Sequence, residues 1–311
     1  MMRSLYSGIS GLRNHQTRMD VIGNNIANVN TAGYKTSRVV FQDIYSQNLR
    51  GASAGGTNIG GTNPMQIGLG VTLAAIDVLH NPAATQITDN PTDLAMEGDG
   101  FFVIQGSTVP VDDGSGNITY EHELLYTRAG NFYVDNAGNL VTSGGNFVLG
   151  YAMGHDDTTG LYFPVADPAD PTSGDALDFT DQAAVKGALT NINLQDKTGI
   201  YFDQDGVVWC IEGEERVALF QVSIGMFTNN GGLEKRGESF YAVTGNSGGA
   251  KFTIASNDGA GKVKPGALEM SNVDLASEFT DMIVTQRGFQ ANSRIITTSD
   301  TLLEELVNLK R

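Results

Sequence analysis

Apolar residues recur every seven positions at both ends of the chain. At the C-terminal end the repeat runs Leu275, Met282, Phe289, Ile296 and Leu303, and Phe279, Leu306 and Val307 widen it. Gly288 is the one glycine inside this stretch and proline is absent. A sustained seven-residue repeat predicts one long helix from Ser271 to Arg311 with a coiled-coil seam. Ser271 with Asp274 reads as a capping box at its start, and Lys310 and Arg311 stand where the helix dipole favours cations. At 1.5 Å per residue such a helix would be about 55 Å long, so it needs a partner along its length. The other end of the chain supplies one. Over residues 4–29, Leu5, Leu12, Met19 and Ile26 are spaced by seven, with Ile9, Ile22 and Val29 beside them. The two terminal helices are expected to pack together, within one chain or against neighbouring copies.

Between them the period changes. Residues 31–70 read as a linker or extended loop, because Gly51 to Asn63 is rich in Gly, Asn and Thr. From Val71 the alternation has period two, broken by turn signals such as Asp99-Gly100, Asp135-Asn136-Ala137-Gly138 and Asn229-Asn230-Gly231-Gly232. This predicts a β-rich middle domain over 71–151 and 198–270. Residues 152–197, rich in Asp, Pro, Thr and Gly, read as an inserted outer module. The expected class is α+β, mostly β. Paired terminal helices, coiled-coil-like, over 1–30 and 271–311 form a core domain, and the β domain with its insertion lies between them in the sequence. On this reading the insertion could be deleted without preventing assembly.

Charge changes the picture in one respect. The net charge is −16, and residues 51–185 carry seventeen acidic residues against a single basic one, Arg128. The first fifty residues are net +4 and residues 186–311 net −4. An acidic middle argues against nucleic acid, which needs a basic footprint. No apolar run is long enough for a membrane span, and the polar start of the chain lacks the apolar core of a cleaved signal peptide.

The chemistry-bearing residues form no reactive constellation. His15, His80, His122 and His155 are scattered and none stands at metal-ligand spacing. Cys210 lies in an apolar run after Trp209 and reads as core. Asp203-Gln204-Asp205-Gly206 lacks the closing Glu of a calcium loop and reads as a turn. Catalysis, a cofactor and a metal are therefore not expected. From Val21 to Tyr34 there is no charged side chain, and Asn24, Asn25, Asn28 and Asn30 supply polarity before Gly33 stops the helix.

The segment Asn24-Asn25-Ile26-Ala27-Asn28-Val29-Asn30-Thr31-Ala32-Gly33-Tyr34-Lys35 closely resembles the N-terminal signature of bacterial flagellar rod and hook proteins. Asp93-Leu94-Ala95-Met96 with Gly98-Asp99-Gly100-Phe101-Phe102, and Gly266 to Leu275 with Gln286-Arg287-Gly288-Phe289-Gln290, resemble the family's later landmarks. Gly61 to Gly70 and Gly232 to Gly237 are most similar to hook sequences, with a distal rod subunit as the alternative. The resemblance implies a hollow helical tube of many copies that passes torque from rod to filament. The terminal helices would line the channel, and the insertion would face outward. It implies as partners the chain itself, distal rod subunits, hook–filament junction proteins, a hook cap and the flagellar type III export apparatus. It implies an extracellular place in the hook, reached without signal cleavage.

Overall fold

The computed structural model describes residues 2–55, 60–112, 118–156, 161–167, 176–195, 197–212 and 215–309. The chain forms two units, one of residues 1–29, 36–79 and 273–311, the other of residues 30–35 and 80–272. No helix among the described residues is long and apolar enough to cross a membrane.

The first unit holds the terminal helices α1 (Met2–Ala27) and α3 (Leu275–Asn308). Asp274 alone caps α3, its carboxylate accepting from the Ala276 amide at 3.0 Å. Ser271 lies outside the helix, so the capping box expected with it does not form. Within the stretch expected to be a linker, 31–70, three strands form. β1 (Ser37–Asp43) pairs antiparallel with β4 (Val71–Val78), and β2 (Ser46–Arg50) with β3 (Met65–Gly68). The Gly/Asn/Thr-rich composition belongs to the connection between β2 and β3, whereas the β-branched and aromatic residues flanking it, such as Val39, Val40 and Phe41, build the ladder. Residues 56–59 of that connection lie outside the described residues. α1 therefore packs on a β ribbon as well as on α3. Asn14 donates to the Val71 carbonyl at 2.7 Å, and the Ser10 hydroxyl accepts from the Val71 amide at 3.4 Å.

The second unit is almost wholly β. In chain order its strands are β5 (Thr85–Ile87), β6 (Leu94–Glu97), β7 (Phe101–Asp112), β8 (Ile118–Thr127), β9 (Tyr133–Val134), β10 (Leu140–Val141), β11 (Leu149–Asp156), β12 (Leu161–Pro164), β13 (Thr190–Asn191), β14 (Tyr201–Phe202), β15 (Val207–Glu212), β16 (Glu215–Val222), β17 (Ile224–Met226), β18 (Glu234–Gly237), β19 (Phe240–Ala242), β20 (Lys251–Thr253), β21 (Lys262–Pro265) and β22 (Ala267–Glu269). Two sheets dominate, ordered β12-β11-β16-β15-β14 and β18-β19-β8-β7-β17-β20, with β13 on β11. β7 is covered on both faces. Phe102 and Ile104 enter one apolar cluster with Val208, Val222 and Ile224, while Phe101 and Val103 enter another with Tyr126, Tyr151 and Tyr241. Burial on both sides is why this strand reads as a continuous apolar run and not as an alternation.

Residues 152–197 are not a separate module in the described structure. β11 and β12 belong to the first sheet. The short helix α2 (Gln182–Gly187), capped by Asp181, buries Val185. Leu177, Val185 and Ala188 pack in the cluster of Phe101, and Ile192 and Leu194 in the cluster of Phe102. The sparse apolar residues of this stretch are the ones that matter. Composition averaged over it, weighted by Asp, Pro and Thr, hides them. Part of that acidic composition, in 157–160 and 168–175, lies outside the described residues.

A buried charge cluster ties this unit together. Glu269 accepts from Lys35 Nζ at 2.6 Å and from Arg128 Nη1 at 3.4 Å, and all three side chains are buried. Lys35 Nζ also donates to the Asn81 carbonyl at 2.8 Å, and the Ala83 amide donates to Glu269 Oε1 at 3.1 Å. The Gly33 amide donates to the Glu269 carbonyl at 2.7 Å, and the Met270 amide to the Ala84 carbonyl at 3.0 Å. Three stretches far apart in sequence, 33–35, 81–84 and 269–270, thus meet around one carboxylate. The Arg128 guanidinium lies over the Phe101 ring, 5.2 Å from its centroid. Burial pushes the Lys35 ammonium below its ordinary range, while the hydrogen bond and charge of Glu269 oppose the shift.

Two outcomes are expected. Glu269→Gln leaves two buried cations without a counter-charge and should cost about 3–5 kcal/mol. Urea unfolding of the β unit would read this as a lower midpoint at unchanged slope; a loss below about 1 kcal/mol would show that the cluster behaves like an exposed ion pair. Deleting 152–197 should unfold the second unit, because it removes β12, β13, most of β11 and core residues from both clusters. Retention of the wild-type near-ultraviolet circular dichroism would contradict that expectation.

Candidate assembly surface

α1 and α3 run antiparallel, and their contact follows a heptad on each helix. On α3 the inward positions are Glu278, Met282, Thr285, Phe289, Asn292, Ile296, Ser299 and Leu303, spaced alternately by four and three. On α1 they are Gly8, Gly11, His15, Arg18, Ile22 and Asn25. A Cβ on Gly8 would meet Ile296 at 3.4 Å, one on Gly11 would lie 2.5 Å from Asn292 Nδ2, and one on Gly288 would lie 2.7 Å from the His15 ring. The helices approach closely because these three positions carry no side chain.

Half of the α3 seam is polar. Asn25 is 1% exposed. It donates to the Ser37 carbonyl at 2.9 Å and to Glu278 Oε1 at 3.0 Å, and accepts from the Ser37 amide at 3.0 Å. One amide thus satisfies the end of β1 and holds a carboxylate of α3. Burial raises the Glu278 carboxyl above its ordinary range, against the hydrogen bonds from Asn25 and Thr36. Arg18 pairs with Asp281 at 2.9 Å. Thr285 is buried and its hydroxyl has no hydrogen-bond partner, and the same holds for His15 Nδ1.

The residues expected to drive assembly divide between two places. Met282, Phe289, Ile296 and Leu303 are half-buried on the face of α3 turned to α1, and Leu275, at the first turn, is exposed. Leu5, Leu12, Met19 and Ile26 are half-buried. At 100° per residue they lie about a quarter-turn round α1 from the middle of the seam. The signature residues are similarly split. Asn28 donates to the Asn24 carbonyl and side chain, closing the end of α1, while Asn24 itself is exposed. In the second unit Asn30 is exposed, and Gly33 has a φ of +68°. A Cβ on Gly33 would lie 2.5 Å from the Ala129 amide nitrogen. The Tyr34 ring carries the Lys235 ammonium 4.7 Å from its centroid.

α3 also bears apolar residues away from α1. Phe279, Ile283, Val284, Ile295, Leu302 and Leu306 are exposed, at 45–59%. Val284, Ile295, Leu302 and Leu306 form a second stripe about 100° round the helix from the seam. Such a surface is unfavourable in water and suits burial against protein. Among the described residues no group of His, Cys, Asp and Glu is placed to hold a metal. Cys210 is buried and is in no disulfide.

Comparison with known proteins agrees with this architecture. Residues 5–35 match the family described as flagella basal body rod protein, residues 95–210 the D1 domain of the flagellar hook proteins FlgE/F/G, and residues 264–309 the C-terminal region of the flagellar basal body rod proteins FlgEFG. The chain is 47% identical to the flagellar basal-body rod protein FlgG of Bacillus subtilis over 312 residues, covering 100% of both. It is 34% identical to FlgG of Buchnera aphidicola subsp. Acyrthosiphon pisum over 315 residues, covering 99% of this chain and 100% of that one. It is 32% identical to the flagellar hook protein FlgE of Borreliella burgdorferi over 455 residues, again covering 100% of both. With terminal helices and a β-rich middle that match along the whole chain, this protein belongs to the flagellar rod and hook family of structural basal-body proteins.

Proposed function

We propose that this chain is a subunit of the flagellar rod, many copies of which form a straight hollow tube that carries torque. The observation that carries the rod reading is length. The FlgG of Bacillus subtilis aligns end to end within 312 positions, whereas the hook protein of Borreliella burgdorferi needs 455. The extra sequence of such hook relatives has no separate counterpart among the described residues, since 152–197 is part of the sheet and core. This departs from the hook subtype expected from the sequence. The junction proteins and cap inferred with a hook belong to that alternative. A rod subunit has as neighbours its own copies, adjoining rod and hook subunits, and the flagellar export apparatus that delivers it outside the cell.

In this reading the exposed apolar stripe of α3 makes the permanent contacts between copies, because burying it yields about 25 cal/mol per Å² removed from water. The half-buried Leu5, Leu12, Met19 and Ile26 offer a further apolar surface on α1. Stiffness then follows from many such contacts around the tube. The β unit, which carries one basic side chain, Arg128, over 80–185, makes wetter and weaker ones.

Two experiments test the reading. Electron microscopy of the concentrated full-length chain is expected to show straight tubes; curved tubes would return the chain to the hook. Leu302→Asp with Leu306→Asp places two charges on the outward stripe and leaves the seam with α1 untouched. Tube formation should be lost while the circular dichroism of the monomer stays that of wild type. A double variant that still polymerises would remove α3 from the assembly surface.

A further inference from the structure

We propose that His15 and the notch at Gly288 form a proton-sensitive latch, in which the α1–α3 pair closes on the neutral imidazole and loosens when the ring takes up a proton. The geometry is specific. The ring fills the space that a side chain at 288 would occupy, with Cε1 and Nε2 each 2.7 Å from an ideal Cβ there. Its other neighbour is the Phe41 ring of β1, edge-on at 6.3 Å between centroids. Nδ1 is buried and makes no hydrogen bond. A cation in this place would have an additional N–H to satisfy beside the Phe41 ring.

The charges around the ring do not favour the cation either. On α1 the nearby group is Arg18, one turn on, and it acts on His15 as a like charge. Its partner Asp281 on α3 is engaged with Arg18 at 2.9 Å. On α3, Gly288 brings no side chain, and Arg287 is exposed and bonded to Gln290. Glu278 lies toward the opposite end of the seam, on Asn25. On the ribbon, Arg38 of β1 is paired with Asp77 of β4 at 3.5 Å, and Asp43 is exposed. Burial, and then Arg18, hold the imidazole below its ordinary 6.5.

The sign follows from linkage. A histidine with a lowered folded-state value binds its proton first in the opened state. Stability is then complete above about pH 6.5 and falls as the pH drops from there toward the folded-state value. Glu278, raised by burial, works in the opposite sense, so its contribution is lost as the pH rises. The two are separated by substitution at 15.

The test uses the full-length monomer at low concentration and does not depend on the rod reading, since it measures the helix pair before any assembly. The far-ultraviolet helical signal reports mainly this pair, because α1 and α3 hold 26 and 34 residues against 6 in α2. Below pH 6.5 the equilibrium constant for loss of that signal in urea should rise by up to tenfold per pH unit, the limit for one proton. In His15→Gln the rise should be absent. A wild type without the rise, or a His15→Gln chain with the same slope, overturns the latch. If His15→Gln does not fold, the ring of the wild-type protein decides by nuclear magnetic resonance. A titration midpoint below 6.5 supports the latch and one at or above 6.5 overturns it. Gly288→Ala should drive the ring from its notch and return the midpoint toward 6.5. Where tubes form, their yield should fall from pH 7.5 to pH 5.5 in the wild type and not in His15→Gln.

Discussion

One carboxylate sets the framework of the larger unit. Glu269 faces two buried cations and also receives the Ala83 amide, so its lone pairs are nearly all used. A buried ion pair of this sort is a poor source of net stability, since desolvation offsets most of the attraction. Its effect is selective. An apolar trio could slide, but Lys35 and Arg128 must both reach the one carboxylate of Glu269. That arrangement fixes stretches 33–35, 81–84 and 269–270 against one another. The left-handed turn at Gly33 belongs to the same constraint, because only a residue without a Cβ can bring its amide to the Glu269 carbonyl while passing so close to Ala129.

How far this was legible in the sequence depends on what each kind of pattern records. The C-terminal seam was readable because Met282, Phe289, Ile296 and Leu303 carry it in large side chains. The N-terminal seam was read a quarter-turn off. Its contacts are made by Gly8 and Gly11, which have no hydrophobic signal, so the eye follows Leu5, Leu12, Met19 and Ile26 instead. Averaged composition misplaced two stretches. In 31–70 the glycine-rich connection masks the strands β1, β2 and β3, and in 152–197 a few buried residues are outnumbered by polar ones. The charge cluster leaves one trace in the sequence. Arg128 is the single basic residue in 135 positions otherwise carrying only acids, and a cation that solitary is placed for a partner and not for solubility.

The helix pair shows a division between its two kinds of surface. Facing α1, α3 offers Glu278, Thr285, Asn292 and Ser299 between its apolar residues, and these match Asn25 and the glycines opposite. A seam half polar and half notch binds less strongly than one of leucines, but it accepts one register, because a shift by a heptad would set His15 or Asn292 against a side chain with no room for it. The outward stripe has the reverse character. It is apolar, exposed and undemanding about register, so as the proposed contact between copies it would supply strength where the inner seam supplies alignment.

That ordering has a consequence for how a subunit could be handled before it joins a tube. Were the apolar stripe to form the intramolecular seam, the free chain would be stable and would have little left with which to bind a neighbour. With the polar seam inside, the free chain is held in register at small cost and its strongest association remains unused. The weak inner contact is also where small changes of condition act. A half-buried imidazole with a buried, unbonded Nδ1 and an unpartnered Thr285 hydroxyl sit in this seam, where a proton on the ring would bear on the stability of the pair. If other copies cover the outer stripe, as the rod reading has it, the closed pair is stabilised by mass action, and the same proton would have to work against every contact made in the tube.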